Sequence, residues 1–295
     1  MYSNFAIVAS FFSLWLSTLL TNKLQLVVGF LIILTVGIFH GANDIVLILS
    51  LNKSKKIGSF FKILAYYVVI VLLGIAAFYV FPVVSLICFL VISGLHFGEQ
   101  QWQSFKTFNG TKTNASFRAI YGLFVLFLLF VLHQVEVILI VQQITFIMLP
   151  KTLIPIIFYI ISVLLFCFFL YLYIYVENLR KQILLEAFYL LVFAIIFFSS
   201  SLIWGFAIFF VIWHSIPSII DQIKFLHVDA TFDNFIIYFK SALIYWIISL
   251  FGIAILFYLF KDKQIFNAIF FSFLAAITFP HAIVILKMFR KKLTN

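Results

Sequence analysis

From position 153 to position 176 the chain carries no charged residue, and nine further stretches of comparable apolar character follow one another along its length. A run of about 20 apolar residues is long enough to cross the hydrocarbon of a bilayer as a helix. In hydrocarbon each spanning segment must satisfy its own backbone hydrogen bonds, which leaves helices and closed barrels. Barrel strands alternate apolar and polar positions, and these stretches do not. Composition closes the other route: 66% of the 295 residues are hydrophobic and 9% charged, with a mean hydropathy of +1.25. A soluble domain carries roughly a quarter charged residues, so no polar shell could cover a water-facing globule here. The expected fold is all-α, a polytopic transmembrane bundle of about 8–10 helices, and a single membrane domain over residues 1–295.

Helices are expected near 5–21, 25–50, 62–81, 83–102, 117–134, 153–176, 183–200, 202–220, 236–260 and 264–289. The stretch 136–150 is apolar but short, ends at Pro150 and carries Gln142 and Gln143, so it reads as interfacial or re-entrant. The longest polar stretch, Glu99 to Arg118, reads as a loop, and no repeat, linker or soluble domain is visible. The first twenty residues lack a basic n-region and a small-residue cleavage site, which predicts a retained first helix. Cys88 and Cys167 lie inside apolar runs and offer neither disulfide nor zinc spacing. The 42 phenylalanines suit lipid-facing and interhelical packing, with room for a pocket that holds a long apolar ligand.

A net charge of +10 would suggest nucleic acid in a soluble protein. Here the cations fall in short connections, the pattern that sets membrane orientation, and no nucleic-acid partner is expected. With the N-terminus inside, 15 of the 19 basic residues face inward: Lys53, Lys55, Lys56, Lys62, Lys106, Lys112, Arg118, Arg180, Lys181, Lys224, Lys240, Lys287, Arg290, Lys291 and Lys292. Lys23, Lys151, Lys261 and Lys263 face outward. Both termini are therefore expected in the cytoplasm.

Ionisable side chains are costly within membrane helices and mark function by default. Of six histidines, His227 reads as a solvated loop residue and His133 as a capping or interface residue at a helix end. His40, His96, His214 and His281 lie on the second, fourth, eighth and tenth helices, which all run inward. From the helix starts they are 40−25=15, 96−83=13, 214−202=12 and 281−264=17 positions along. At 1.5 Å per residue that is roughly 18–26 Å from the outer face, one shared level. Three of the nine acidic residues accompany them on the same helix faces: Asp44 after His40, Glu99 after His96 and Asp221 two turns after His214. Carboxylates of this kind orient metal-bound imidazoles. Four imidazoles without thiolate suit Fe(II), Cu or Zn, and a site embedded in hydrocarbon points to an apolar substrate and O2, which favours iron.

The residues around these histidines carry a resemblance. His40-Gly41-Ala42-Asn43-Asp44 resembles the HGAxD signature of the Brp/Blh family of membrane β-carotene 15,15′-dioxygenases. Ser93-Gly94-Leu95-His96-Phe97-Gly98 is similar to that family's second histidine motif, Trp213-His214-Ser215 to its third and Pro280-His281 to its last. Order and spacing agree from the second helix to the tenth. The resemblance implies an enzyme of a bacterial inner membrane that uses Fe(II) and O2 to split β-carotene centrally into two retinal molecules, for a retinal-binding rhodopsin. It also implies His40, His96, His214 and His281 as metal ligands and catalytic residues; by their spacing Asp44, Glu99 and Asp221 are expected around them, with Ser218 one turn after His214. Two positions depart from the family pattern. Ser218 stands where a second histidine follows the third motif, and Gln101 stands where an acid is expected, a place Glu99 could fill instead. If His281 completes the ligand set the chemistry is intact; if the missing histidine is obligatory, the chain is a divergent or inactive relative.

Other classes predict different patterns. Two bis-histidine haems for electron transfer want pairs at two depths, and a di-iron desaturase wants closely spaced histidine boxes; neither is present. A proton-coupled transporter would use Asp44 and the histidines as a relay, with helices broken near Gly41, Pro217 and Pro280.

Overall fold

The computed structural model of the chain describes residues 2–52, 57–105, 107–108, 110–259 and 263–294. Every regular element among them is helical. In order they are α1 (Tyr2–Leu19), α2 (Asn22–Ile32), α3 (Asp44–Leu51), α4 (Ile57–Val80), α5 (Pro82–Trp102), α6 (Thr111–Leu132), α7 (Gln134–Thr145), α8 (Leu153–Tyr175), α9 (Arg180–Phe198), α10 (Leu202–Ile208), α11 (Ile216–His227), α12 (Phe232–Leu259) and α13 (Lys263–Thr294). A π-helical turn, Ile33–Gly37, extends α2, and a second, Phe209–Ser215, joins α10 to α11. Nine helical stretches among the described residues are long and apolar enough to cross a membrane. The chain is a multi-pass membrane protein. Tyr79, Phe146 and Phe198 lie on its surface, while Asp44, Glu186 and His214 are buried, the reverse of a soluble protein.

Three of the expected boundaries are corrected. The second helix is not continuous over 25–50. It breaks after the first π-helical turn, where Gly41 N bonds to Ile38 O, Ala42 N to Phe39 O and Asp44 N to Gly41 O. Those tight-turn bonds replace the i→i−4 ladder, and a new helix starts at Asp44. The polar stretch 99–118 is helical at both ends, because Arg118 on α6 pairs with Glu99 on α5 and the two charges offset each other within the helices. The eighth helix continues past position 220, so His227 occupies the last turn of α11 and not a loop. The segment 136–150 forms the short α7 as far as Thr145. Lys53, Lys55, Lys56, Lys106, Lys261 and Asn295 lie outside the described residues.

By internal contacts the chain forms two compact units. The first comprises Met1–Ile33, Ser93–Leu139 and Met148–His214; the second comprises Leu34–Ile92, Ile140–Ile147 and Ser215–Asn295. In the first, α6 packs on α8 and α9, and α10 packs on α2. Its core holds Trp102, Phe117, Phe193, Phe197 and Trp204. Trp204 Nε1 donates to Ser13 O at 3.2 Å and Trp213 Nε1 to Ser10 Oγ at 2.9 Å, which ties α1 to the rest. In the second, α13 packs on α4 and α3, and α11 packs on α12. Leu47, Tyr238, Ile285 and Met288 form its interior.

Without a hydrophobic force between helices in lipid, close packing depends on small residues that let backbones approach. A Cβ added at Gly98 would meet Arg118 O at 1.8 Å, and one at Gly122 would meet Gly94 O at 1.9 Å. Gly94 and Gly98 thus bring α5 against α6 on either side of His96. In the second unit a Cβ at Gly74 would meet the Ala276 backbone at 3.2 Å, where α4 crosses α13.

Candidate functional site

Each unit contains one pair of buried histidines. In the second unit His40 sits in the break between α2 and α3, and His281 follows Pro280 inside α13. Their rings are 4.6 Å apart, edge to face at 85°. His281 Nδ1 is 2.8 Å from Asp44 Oδ1. Tyr67 on α4 donates its hydroxyl to Asp44 Oδ2 at 2.7 Å. His40 Nδ1 bonds to Gly37 O, the last residue of the π-helical turn. A carbonyl oxygen only accepts, so His40 carries its proton on Nδ1 and its basic nitrogen is Nε2. Both imidazoles therefore hold Nδ1 against an oxygen acceptor. Metal-bound histidines show this arrangement, with the other nitrogen as ligand.

The break at His40 is held by a second set of polar groups. Gln222 Nε2 donates to His40 O at 2.8 Å and to Ser218 Oγ at 3.1 Å, and Tyr238 hydroxyl donates to Gln222 Oε1 at 2.9 Å. Asn43 Nδ2 donates to Tyr238 O at 2.9 Å, and Ser241 Oγ donates to Asn43 Oδ1 at 2.8 Å. A helix that stops in an apolar setting leaves carbonyls without intrahelical partners; Gln222 takes up the one at His40.

In the first unit His96 on α5 and His214 in the second π-helical turn lie with rings 4.7 Å apart at 79°. Phe97 meets the His214 ring edge to face at 4.7 Å, and Phe210 stacks on it at 5.6 Å. Trp213 packs between Tyr189 and Phe193, each 4.9 Å away. These aromatic contacts fix the turn. π-helical turns are rare and cluster at functional positions; here one precedes His40 and the other contains His214.

The residues expected to support the histidines have these places. Asp44 holds His281, 237 positions away, through its Oδ1. Glu99 Oε1 accepts from Arg118 Nη1 at 2.6 Å. Ser218 is buried against Gln222, and Asp221 is partly exposed on α11. His133 caps α6 and bonds to Phe197 O at 2.8 Å.

Sequence reading missed Tyr67, Gln222 and Glu186. Glu186 is fully buried and accepts from Gln101 Nε2 at 2.8 Å, Tyr121 hydroxyl at 2.7 Å and Gln182 Nε2 at 2.6 Å. A lone acid in the apolar run 183–198 signals Glu186; nothing in the sequence singles out Gln222, which stands beside Asp221, or distinguishes Tyr67 from its neighbours.

The sequence model of one family, described as beta-carotene 15,15'-dioxygenase, matches residues 31–289. The chain belongs to the beta-carotene 15,15'-dioxygenase family. The match takes in both histidine pairs, Asp44 and the residues that hold the helix break. No curated protein and no solved structure matches the chain. In this member of the dioxygenase family each histidine pair offers nitrogen donors and neither cysteine lies buried beside them: Cys88 and Cys167 are exposed. Such a set fits a divalent first-row metal such as iron(II).

Proposed function

We propose that the chain cleaves β-carotene with O2 across its central 15,15′ double bond and releases two molecules of retinal, with iron(II) as the metal. The family match over residues 31–289 carries this reading, since it includes every histidine that reads as a ligand. His40, His96, His214 and His281 would hold the iron, an assignment that rests on the four sequence motifs and their common depth. When bound, iron(II) supplies O2 activation, and each oxygen atom ends in one of the two aldehydes. The protein's part is orientation and exclusion. Gly37 O and Asp44 fix the tautomer and direction of His40 and His281, while Phe97 and Phe210 wall His214 with apolar surface. Holding a rigid substrate so that only one bond faces the reacting centre lowers the barrier through positioning. An extended apolar polyene partitions into the bilayer, where a multi-pass enzyme meets it without an aqueous step. The retinal would serve a retinal-binding rhodopsin in the same membrane.

One observation favours a second reading. The broken helix at His40–Asn43, with Asp44 at its restart, is a feature of proton-coupled transporters, whose discontinuous helices build ion sites. Expression in a β-carotene-producing bacterium separates the two. Dioxygenase activity bleaches the orange cells and yields extractable retinal; cells that stay orange with the protein present in the membrane overturn the proposal.

A further inference from the structure

We propose that Tyr67 is a positioning residue for His281, acting through Asp44. The inference rests on the reading of His281 as a metal ligand. Asp44 offers two oxygens, and each has a different partner: Oδ1 faces His281 Nδ1 at 2.8 Å, and Oδ2 accepts the Tyr67 hydroxyl at 2.7 Å. The carboxylate is 1% exposed. A buried carboxylate held at one oxygen only can turn about its own axis, and the imidazole it supports turns with it. The second bond, from a helix that crosses both α3 and α13, removes that freedom. Asp44 itself starts α3, Tyr67 lies mid-way along α4 and His281 lies within α13. The three side chains therefore lock three helices and one ring orientation together.

Tyr67 also lines a cavity. A cleft of about 480 Å³ is lined by Ile48 of α3, Lys62, Tyr66 and Tyr67 of α4, and Pro280 and Lys287 of α13. Tyr67 is one of its lining residues, and its hydroxyl bonds to Asp44. Phenylalanine at position 67 keeps the ring and removes only the donor.

Carboxylate partners of metal-bound histidines raise affinity roughly 10–100-fold, and Tyr67 shares in that effect by orienting the partner. The test uses purified full-length protein: wild type, Tyr67→Phe, Asp44→Asn, the double variant and Tyr66→Phe as a neighbour that lines the same cleft. Three quantities are read: iron(II) affinity by competition with a chelator, the visible ligand-field bands of the Co(II)-loaded protein, and the melting temperature without metal. Tyr67→Phe is expected to bind iron(II) about 10-fold more weakly, to shift the Co(II) bands and to melt with the wild type. The double variant is expected to bind no more weakly than Asp44→Asn alone, because both changes break one connection. Unchanged affinity and spectrum in Tyr67→Phe overturn the proposal, as does a loss that adds in full to that of Asp44→Asn, or an equal loss in Tyr66→Phe. A wild type that binds neither metal overturns the ligand reading of His281 and this inference with it.

Discussion

A buried carboxylate in a membrane protein persists only where donors surround it, and the three buried among the described residues show how. Glu186 has Gln101, Gln182 and Tyr121; Asp44 has Tyr67 and His281. Glu99, by contrast, is answered by a full charge on Arg118. These buried carboxylates are thus held by other polar side chains, and in the second unit His40 and His281 are held in the same way, by Gly37 O and Asp44. Ser218 belongs to it as well. Its hydroxyl accepts from Gln222, which caps the His40 carbonyl, so a serine at this position serves the helix break. If His40, His96, His214 and His281 are the ligands, each replaced singly by Ala should strip iron from the purified protein and end retinal formation. His227→Ala, in the last turn of α11, should change neither. Metal analysis of the five proteins decides it, and full iron occupancy in His96→Ala would sink the assignment.

At the scale of the helix, the lesson is that close approach and interruption both come from small or polar residues at particular places. Gly94 and Gly98 flank His96, and together with Gly122 they let the α5 and α6 backbones touch. A methyl at Gly122 would overlap Gly94 O, so the helices must separate and His96 moves with α5. Overpacking of this kind costs about 1–3 kcal/mol or more. Gly122→Ala is therefore expected to lower the melting temperature and sharply reduce retinal formation. Gly252→Ala, in α12 with nothing within 4 Å of the added methyl, should leave both as they are; a Gly122→Ala protein indistinguishable from wild type would refute the account. The interruption at His40 follows the same logic in reverse. Gly41 and Asn43 end one helix and begin another; Gln222 takes up the freed His40 carbonyl, and the Asn43 side chain is held by donating to Tyr238 O and accepting from Ser241 Oγ.

Among the described residues nine stretches are long and apolar enough to span, and counting the broken pair α2 and α3 as one further crossing makes the number even. An even count would put both termini on one side, and the expected bias of the basic residues leads us to propose the cytoplasmic side. Among the described cations, Lys62, Lys224, Lys287 and Lys291 lie close to helix ends, and Lys291 Nζ donates to Leu51 O at the end of α3. The proposed location is a bacterial inner membrane. Reporter fusions after Lys56 and after Asn295 should both read cytoplasmic; an external signal from either reverses the orientation.

The sequence alone determined the kind of elements, apolar helices long enough to span, because hydrocarbon demands about 20 apolar residues per crossing and leaves the backbone no partner but itself. It also singled out His40, His96, His214 and His281, since a titratable ring in such a run is costly without a use. What it did not determine is which side chains meet. Asp44 lies one turn from His40 in the chain, yet its oxygen reaches His281, and Tyr67 completes the set from a third helix. In a soluble bundle the apolar stripe reveals which face of a helix turns inward. Here lipid is as apolar as the interior, so Tyr66 and Tyr67 read alike, although one lines only the cleft and the other holds Asp44. The break at His40 was hidden for the same reason. Ile38, Phe39 and Ile45 continue the apolar run across it, and only the tertiary partners of the freed backbone groups make a stop there affordable.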